Sequence, residues 1–295
     1  MKSALFAAAA SAVVAACAAA PATAAEVEIR NAVARVVVIV EDREDVGVEV
    51  TQGASRLPRI EVQRRGRDVR IDGGLRRGGV FGSNDGVRRC DNGPSSARQP
   101  GEGAVVEVRD LGRIRLEDAP LIVLRTPRDV DVSAGGAVYG AVGRGARSVE
   151  LGSGGCGDWT VANTDGAVAL SVGGSGSIRA GTSRSLDAKV GGSGSILAGA
   201  TGDLDAAVGG SGSVLVARAD GAGDISIGGS GDVTVREGRM SDLSVAIGGS
   251  GDVRFGGTTR DLSVAIAGSG DVSVGAATGQ VSRTVVGSGT VNIGR

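Results

Sequence analysis

Histidine does not occur anywhere in the 295 residues. That absence excludes a Ser-His-Asp triad and any zinc site built on imidazole. Large aromatics are almost missing too, with 3 Phe, 1 Tyr and 1 Trp. The interior must therefore be filled by Val, Ile, Leu and Ala, and it is narrow. Lys2 and Lys189 are the only lysines, so a Ser-Lys catalytic pair would have to use Lys189. The formal net charge of −1 gives no electrostatic reason to expect nucleic acid as a partner. No GxxxxGK word followed by Ser or Thr is present to cradle a nucleotide phosphate. After the first 25 residues no run approaches ~18 uninterrupted apolar residues, so no transmembrane helix is expected in the mature chain.

The N-terminus reads as an export signal. In MKSALFAAAASAVVAACAAAPATAAEVEIR, Lys2 is the charged n-region, residues 4 to 16 are the short apolar stretch, and Ala22-Thr23-Ala24 is an A-x-A cleavage word. Residues 1–24 are thus expected to be removed between Ala24 and Ala25. Val14-Ala15-Ala16-Cys17 offers a rival processing point that would leave Cys17 lipidated. Either route implies an exported protein of the periplasm or cell envelope, secreted or lipid-anchored. Either also leaves Cys90 and Cys156, an even pair that reads as a disulfide in an oxidising compartment.

Glycine is the one residue in excess, at 53 copies. It is spaced too regularly for a linker. Nine thirteen-residue units start at Val130, Val149, Val168, Leu186, Leu204, Gly223, Leu243, Leu262 and Val281, 18 to 20 residues apart. Their first, third and fifth positions are mostly apolar, as in Leu243, Val245 and Ile247, which is strand alternation with one buried face. A Gly-Gly-Ser-Gly corner follows, then a second short alternating stretch such as Val253 and Phe255, then a loop of 5 to 7 residues. One such unit cannot bury its apolar face alone, but stacked copies can. The fold class expected is therefore all-β: a right-handed parallel β-solenoid of ~19-residue coils over 129–295. Residues 25–128 are expected to form a β-rich N-terminal cap, with short strands near 36–40, 46–50, 60–62, 69–71, 105–108 and 121–124. A long Gly- and Arg-rich loop spans 73–103. The last coil leaves an exposed strand edge, open to edge or end-to-end self-association.

Repeated GSGDV and GSGSI words flanked by L-x-V-x-I, with a final VVGSGTVNI, resemble the bacterial family of putative auto-transporter adhesins with a head GIN domain. The resemblance runs from Asp129 to the end, and ARVVVIVEDREDVGVEVTQG is similar to the family's N-terminal portion. It implies an exported or lipid-anchored β-solenoid with no established reaction, so no catalytic residue is carried over and no enzyme is expected.

Stacking aligns equivalent side chains. Asp232, Asp252 and Asp271 at the tenth position form an acidic column that could hold a cation such as Ca²⁺, which favours oxygen ligands, or could simply brace its glycine corners. The eighth position makes a serine column from Ser175 to Ser288, which Cys156 continues. Asp158 and Trp159, with Tyr139, are the only carboxylate and aromatics near one another, and a carbohydrate-active site would have to be built there. Three functions follow in order of preference. The first is a structural or adhesin-like module presenting a repetitive face to a glycan or another envelope protein. The second is a carbohydrate-active or polysaccharide-binding β-helix using Asp158 and Trp159. The third is a cation-binding spacer using the Asp column.

Overall fold

The computed structural model describes residues 24–75, 86–94 and 99–294. The expected export signal, Cys17 and part of the expected long loop lie outside the described residues. The fold is all-β, and one 3-10 turn at Leu116–Asp118 is its only helical element among the described residues.

The nine units stack as the spacing predicts. Their first strands form one parallel ladder, in which the unit starts are direct partners: Val130 with Val149, Val149 with Val168, and so on to Leu262 with Val281. The second strands form another parallel ladder, for example Ile178 with Ile196 and Ile196 with Val214. Positions one, three and five of the first eight units are buried, so that Leu186, Ala188 and Val190 stack on Leu204, Ala206 and Val208. Burying each Leu, Ile or Val stabilises the stack by about 1.5–3 kcal/mol against exposure.

The connections after the second strands are more ordered than the variable loops expected. From Thr201 onward they carry a third, short ladder, with Thr201 opposite Ala219 and Met240 opposite Thr259. All four side chains are buried. Val253–Gly268 runs as a single 16-residue strand through such a connection into the next coil. Mixed polar and small residues hid this segment from the alternation pattern.

The ladders do not stop at residue 129. Strand β1 (Glu26–Val40) forms a coil of its own. Residues 26–29 of β1 lie beside the first half of a long strand near 129–142, and residues 35–38 lie beside its second half. On its other side β1 meets two further parallel strands, at Asp68–Asp72 and Leu121–Thr126. In chain order the N-terminal strands are β1, β2 (Gly47–Thr51), β3 (Glu61–Arg65), β4 (Asp68–Asp72), β5 (Val87–Asp91), β6 (Val105–Val108), β7 (Gly112–Arg115), β8 (Leu121–Thr126) and β9 (Asp129–Val142). In space the order is β4 with β8, then β1, then β9, then the repeats. β3 pairs antiparallel with β4, and β2 pairs antiparallel with β8, so these two strands cover the N-terminal edge. The corner of β1 has no Gly-Gly-Ser-Gly word. Asn31 takes its place with φ of 51°, a left-handed conformation that Asn tolerates better than most residues. The Asn31 amide donates to both carboxylate oxygens of Asp72.

β5, β6 and β7 form a separate antiparallel sheet. It lies against the β1 and β9 corners through Val106, Val108, Leu116, Val33, Ala137 and Tyr139, all buried. The Cys90–Cys156 disulfide ties β5 to the serine column, with the two Cα atoms 6.2 Å apart. The Tyr139 hydroxyl donates to Asn92 Oδ1 at 2.6 Å, and Asn92 Nδ2 donates to Asp158 Oδ1 at 3.2 Å. Burial, reinforced by Asp158 and Asp91, pushes the Tyr139 phenol far above its ordinary range.

At the other end, Val281–Gly287 is exposed along its whole length. Arg283 there stands in register with the buried Val264. A guanidinium thus occupies the column where a further coil would need an apolar residue, which opposes stacking of another apolar edge.

Candidate functional site

The tenth-position aspartates act as braces between coils. Asp232 Oδ1 accepts the backbone N–H of Asp252, Asp252 Oδ1 accepts that of Asp271, and Asp271 Oδ1 accepts that of Thr290, at 2.8–2.9 Å. Asp158 does the same for Ser177 and also accepts its hydroxyl. Asn163, Asp203, Asp220 and Asp261 repeat the device at other corners, each accepting a backbone N–H 19 residues onward. At a corner the strand ladder is interrupted, and a short side-chain oxygen supplies the missing acceptor. The Thr290 hydroxyl and backbone N–H hold the Asp271 carboxyl below its ordinary range. Among the described residues no group of three or more Asp, Glu or Cys is placed to hold a metal ion. The serine column bonds to itself, Ser250 to Ser230 at 3.3 Å and Ser288 to Ser269 at 3.2 Å.

Asp158 and Trp159 do not form an open site. Trp159 and Tyr139 are both fully buried, so neither offers a ring to a sugar. One oxygen of Asp158 accepts all three bonds that connect it to Ser177 and Asn92.

A long concave feature of the surface lies elsewhere. On the outer side of the first ladder a groove of about 1010 Å³ runs from Val168 to Ser282. Its floor overlies the column of Leu186, Leu204, Leu243 and Leu262. Its walls are the outward residues one before and one after each unit start. Six of these are carboxylates: Asp187, Asp203, Asp205, Asp224, Asp242 and Asp261. Asp187, Asp205 and Asp224 are direct partners in register, so their backbones are ~4.8 Å apart. Lys189 binds Asp187 Oδ2 at 2.6 Å, and that bond raises the lysine pKa. Asp187 Oδ1 is buried without a hydrogen-bond partner. The Gln280 backbone N–H, then Arg260, keeps the Asp261 carboxyl low. Sequence reasoning passed over this groove, although its signal was visible as the acidic residue beside the unit start in coil after coil.

The same outward column continues upstream through Glu150, Asp131, Glu26 and Asp68. Burial first, then Glu150, Glu26 and Asp68, pushes the Asp131 carboxyl up to about 6. A raised folded pKa means stability present at low pH and lost as pH rises through about 6. Asp131→Asn therefore raises the melting temperature at pH 7 by about 2–4 °C. This corresponds to about 1 kcal/mol after allowing for solvent screening. The gain vanishes near pH 4, and a variant melting with the wild type across that range would refute the assignment.

Comparison with known proteins bears on the repeats. Residues 218–294 match a family model. The family is described as putative auto-transporter adhesin, head GIN domain. The head GIN match takes in the last coils of the solenoid, where the GSGDV words are most regular. Three solved chains also match. One is a putative lipid binding protein from Parabacteroides distasonis, 15% identical, covering 92% of this chain and 94% of that one with a TM-score of 0.46. No curated protein matches.

Proposed function

We propose that the protein is a non-catalytic, exported module of the bacterial cell envelope that adheres to a glycan or another envelope protein through the outer face of its first ladder. The observation that supports this reading best is the groove itself. It crosses seven successive coils, and such a shape suits an extended ligand better than a small substrate. The head GIN match over residues 218–294 agrees with an adhesive role. The test is co-sedimentation of the purified, disulfide-bonded chain from Ala25 onward with isolated envelope fractions containing membrane and cell wall. Most of the protein is expected in the pellet, displaced by excess unlabelled protein. A chain that stays in the supernatant with every fraction would sink the reading.

A further inference from the structure

We propose that the groove takes an extended, basic polypeptide segment laid along the solenoid axis. This rests on the adhesive reading above and names the chemistry of its ligand.

The charge of the groove is of one sign. Its charged lining residues are all aspartate, with no Arg or Lys among those described. The Asp187, Asp205 and Asp224 row sets like charges beside one another in adjacent coils. Lys189 neutralises one carboxylate oxygen at the end of that row, and Asp187 Oδ1 is left without a partner. Cationic side chains laid over the row would relieve the repulsion between its exposed carboxylate oxygens.

The floor is suited to the rest of such a ligand. Ala222 at the centre of the groove and Ala169 at its upstream end add little bulk, and the methylene stems of Arg or Lys pack well on such a surface. Six coil spacings of ~4.8 Å give a length of about 29 Å, which matches about nine residues at ~3.3 Å each. A cationic glycan would answer the charge equally. A sugar chain, however, is usually gripped by exposed aromatic rings, and the aromatic residues among those described, Trp159, Tyr139 and Phe255, are all fully buried. A polypeptide needs no such platform.

The experiment uses a fluorescent nine-residue peptide of alternating arginine and valine, read by anisotropy against the disulfide-bonded mature chain. The comparison protein carries Asp205→Asn, Asp224→Asn and Asp242→Asn together. Asp203 and Asp261 are left intact because they brace the backbone. The wild type is expected to bind with an affinity that falls as salt rises. The triple variant is expected to bind about tenfold more weakly while melting no lower than the wild type. Equal binding by both proteins, or none by the wild type, overturns the proposal. So does preferential binding of a chitosan oligomer, which would assign the groove to a cationic glycan. If envelope co-sedimentation persists while the peptide fails, the ligand class falls and the adhesive reading stands. If both fail, both fall.

Discussion

Gly231→Ala melts about 6–12 °C below the wild type, while Gly228→Ala, three residues away in the same corner, melts with it or slightly above. A Cβ on Gly231 would lie 2.1 Å from the carbonyl oxygen of Gly212 and 2.6 Å from Val208 Cγ1. The first of these is backbone in the coil below, so relief requires the two coils to separate. Separation would break the corner bond from Gly231 N–H to the Gly210 carbonyl oxygen at 3.1 Å. A clash of this kind costs about 3 kcal/mol, which is the stated shift in a chain of this size. A Cβ on Gly228 meets nothing within 4 Å. Alanine there restricts the unfolded chain and leaves the folded one unstrained, a gain of up to about 1 kcal/mol. The protein already makes this exchange, since Ala267 and Val286 stand at the same corner position in later coils. Thermal melting followed by circular dichroism checks the pair, and equal loss in both variants would show that the corners do not touch as described.

Cleavage of the Cys90–Cys156 bond loosens the β5–β7 sheet and leaves the repeats in place. The bond closes a loop across a sequence separation of 66, worth about 4 kcal/mol on the chain-entropy account. The sheet keeps its apolar contacts and the Tyr139–Asn92–Asp158 chain of hydrogen bonds. It therefore frays instead of departing. In Cys90→Ser, amide exchange in residues 86–94 and 99–116 speeds up at least about tenfold, while exchange in the strands from Leu186 to Ile266 is unchanged. Unchanged exchange throughout would mean that the apolar contacts alone hold the sheet. Acceleration through the repeats would mean that the disulfide supports the whole stack.

Much of the repeat was legible because its signals are local and periodic. Alternation in Leu243, Val245 and Ile247 announces a strand, and a constant interval between such words announces stacking, so the nine unit starts fall on one ladder. The pairing of Cys90 with Cys156 followed from counting. What stayed hidden depends on how one coil overlies another. Gly228 and Gly231 look alike in sequence and differ only in the carbonyl beneath them. The braces of Asp232, Asp252 and Asp271 look like a cation column until the backbone N–H of the next coil is in place. The groove was missed because outward residues carry no core signal, and six aspartates dispersed from Asp187 to Asp261 do not resemble a site. The position of β1 was missed for a different reason. Its partners β4, β8 and β9 lie far along the chain, beyond the reach of any local pattern.

That position has a consequence for the order in which the molecule can be put together. Chains are made from the N-terminus, so β1 emerges first and then waits, since its neighbours in β8 and β9 end only at Thr126 and Val142. Closing contacts between such distant segments is slow. The coils after Ser148 face no such delay, because each finds its template about 19 residues behind it and can be laid down one at a time. The coil of β1 therefore closes over long sequence separations, whereas every later coil closes over about 19 residues. A chain cut short from its C-terminus would give a shorter rod, whereas one deprived of β1 would have to join β9 to β4 and β8 across a missing layer.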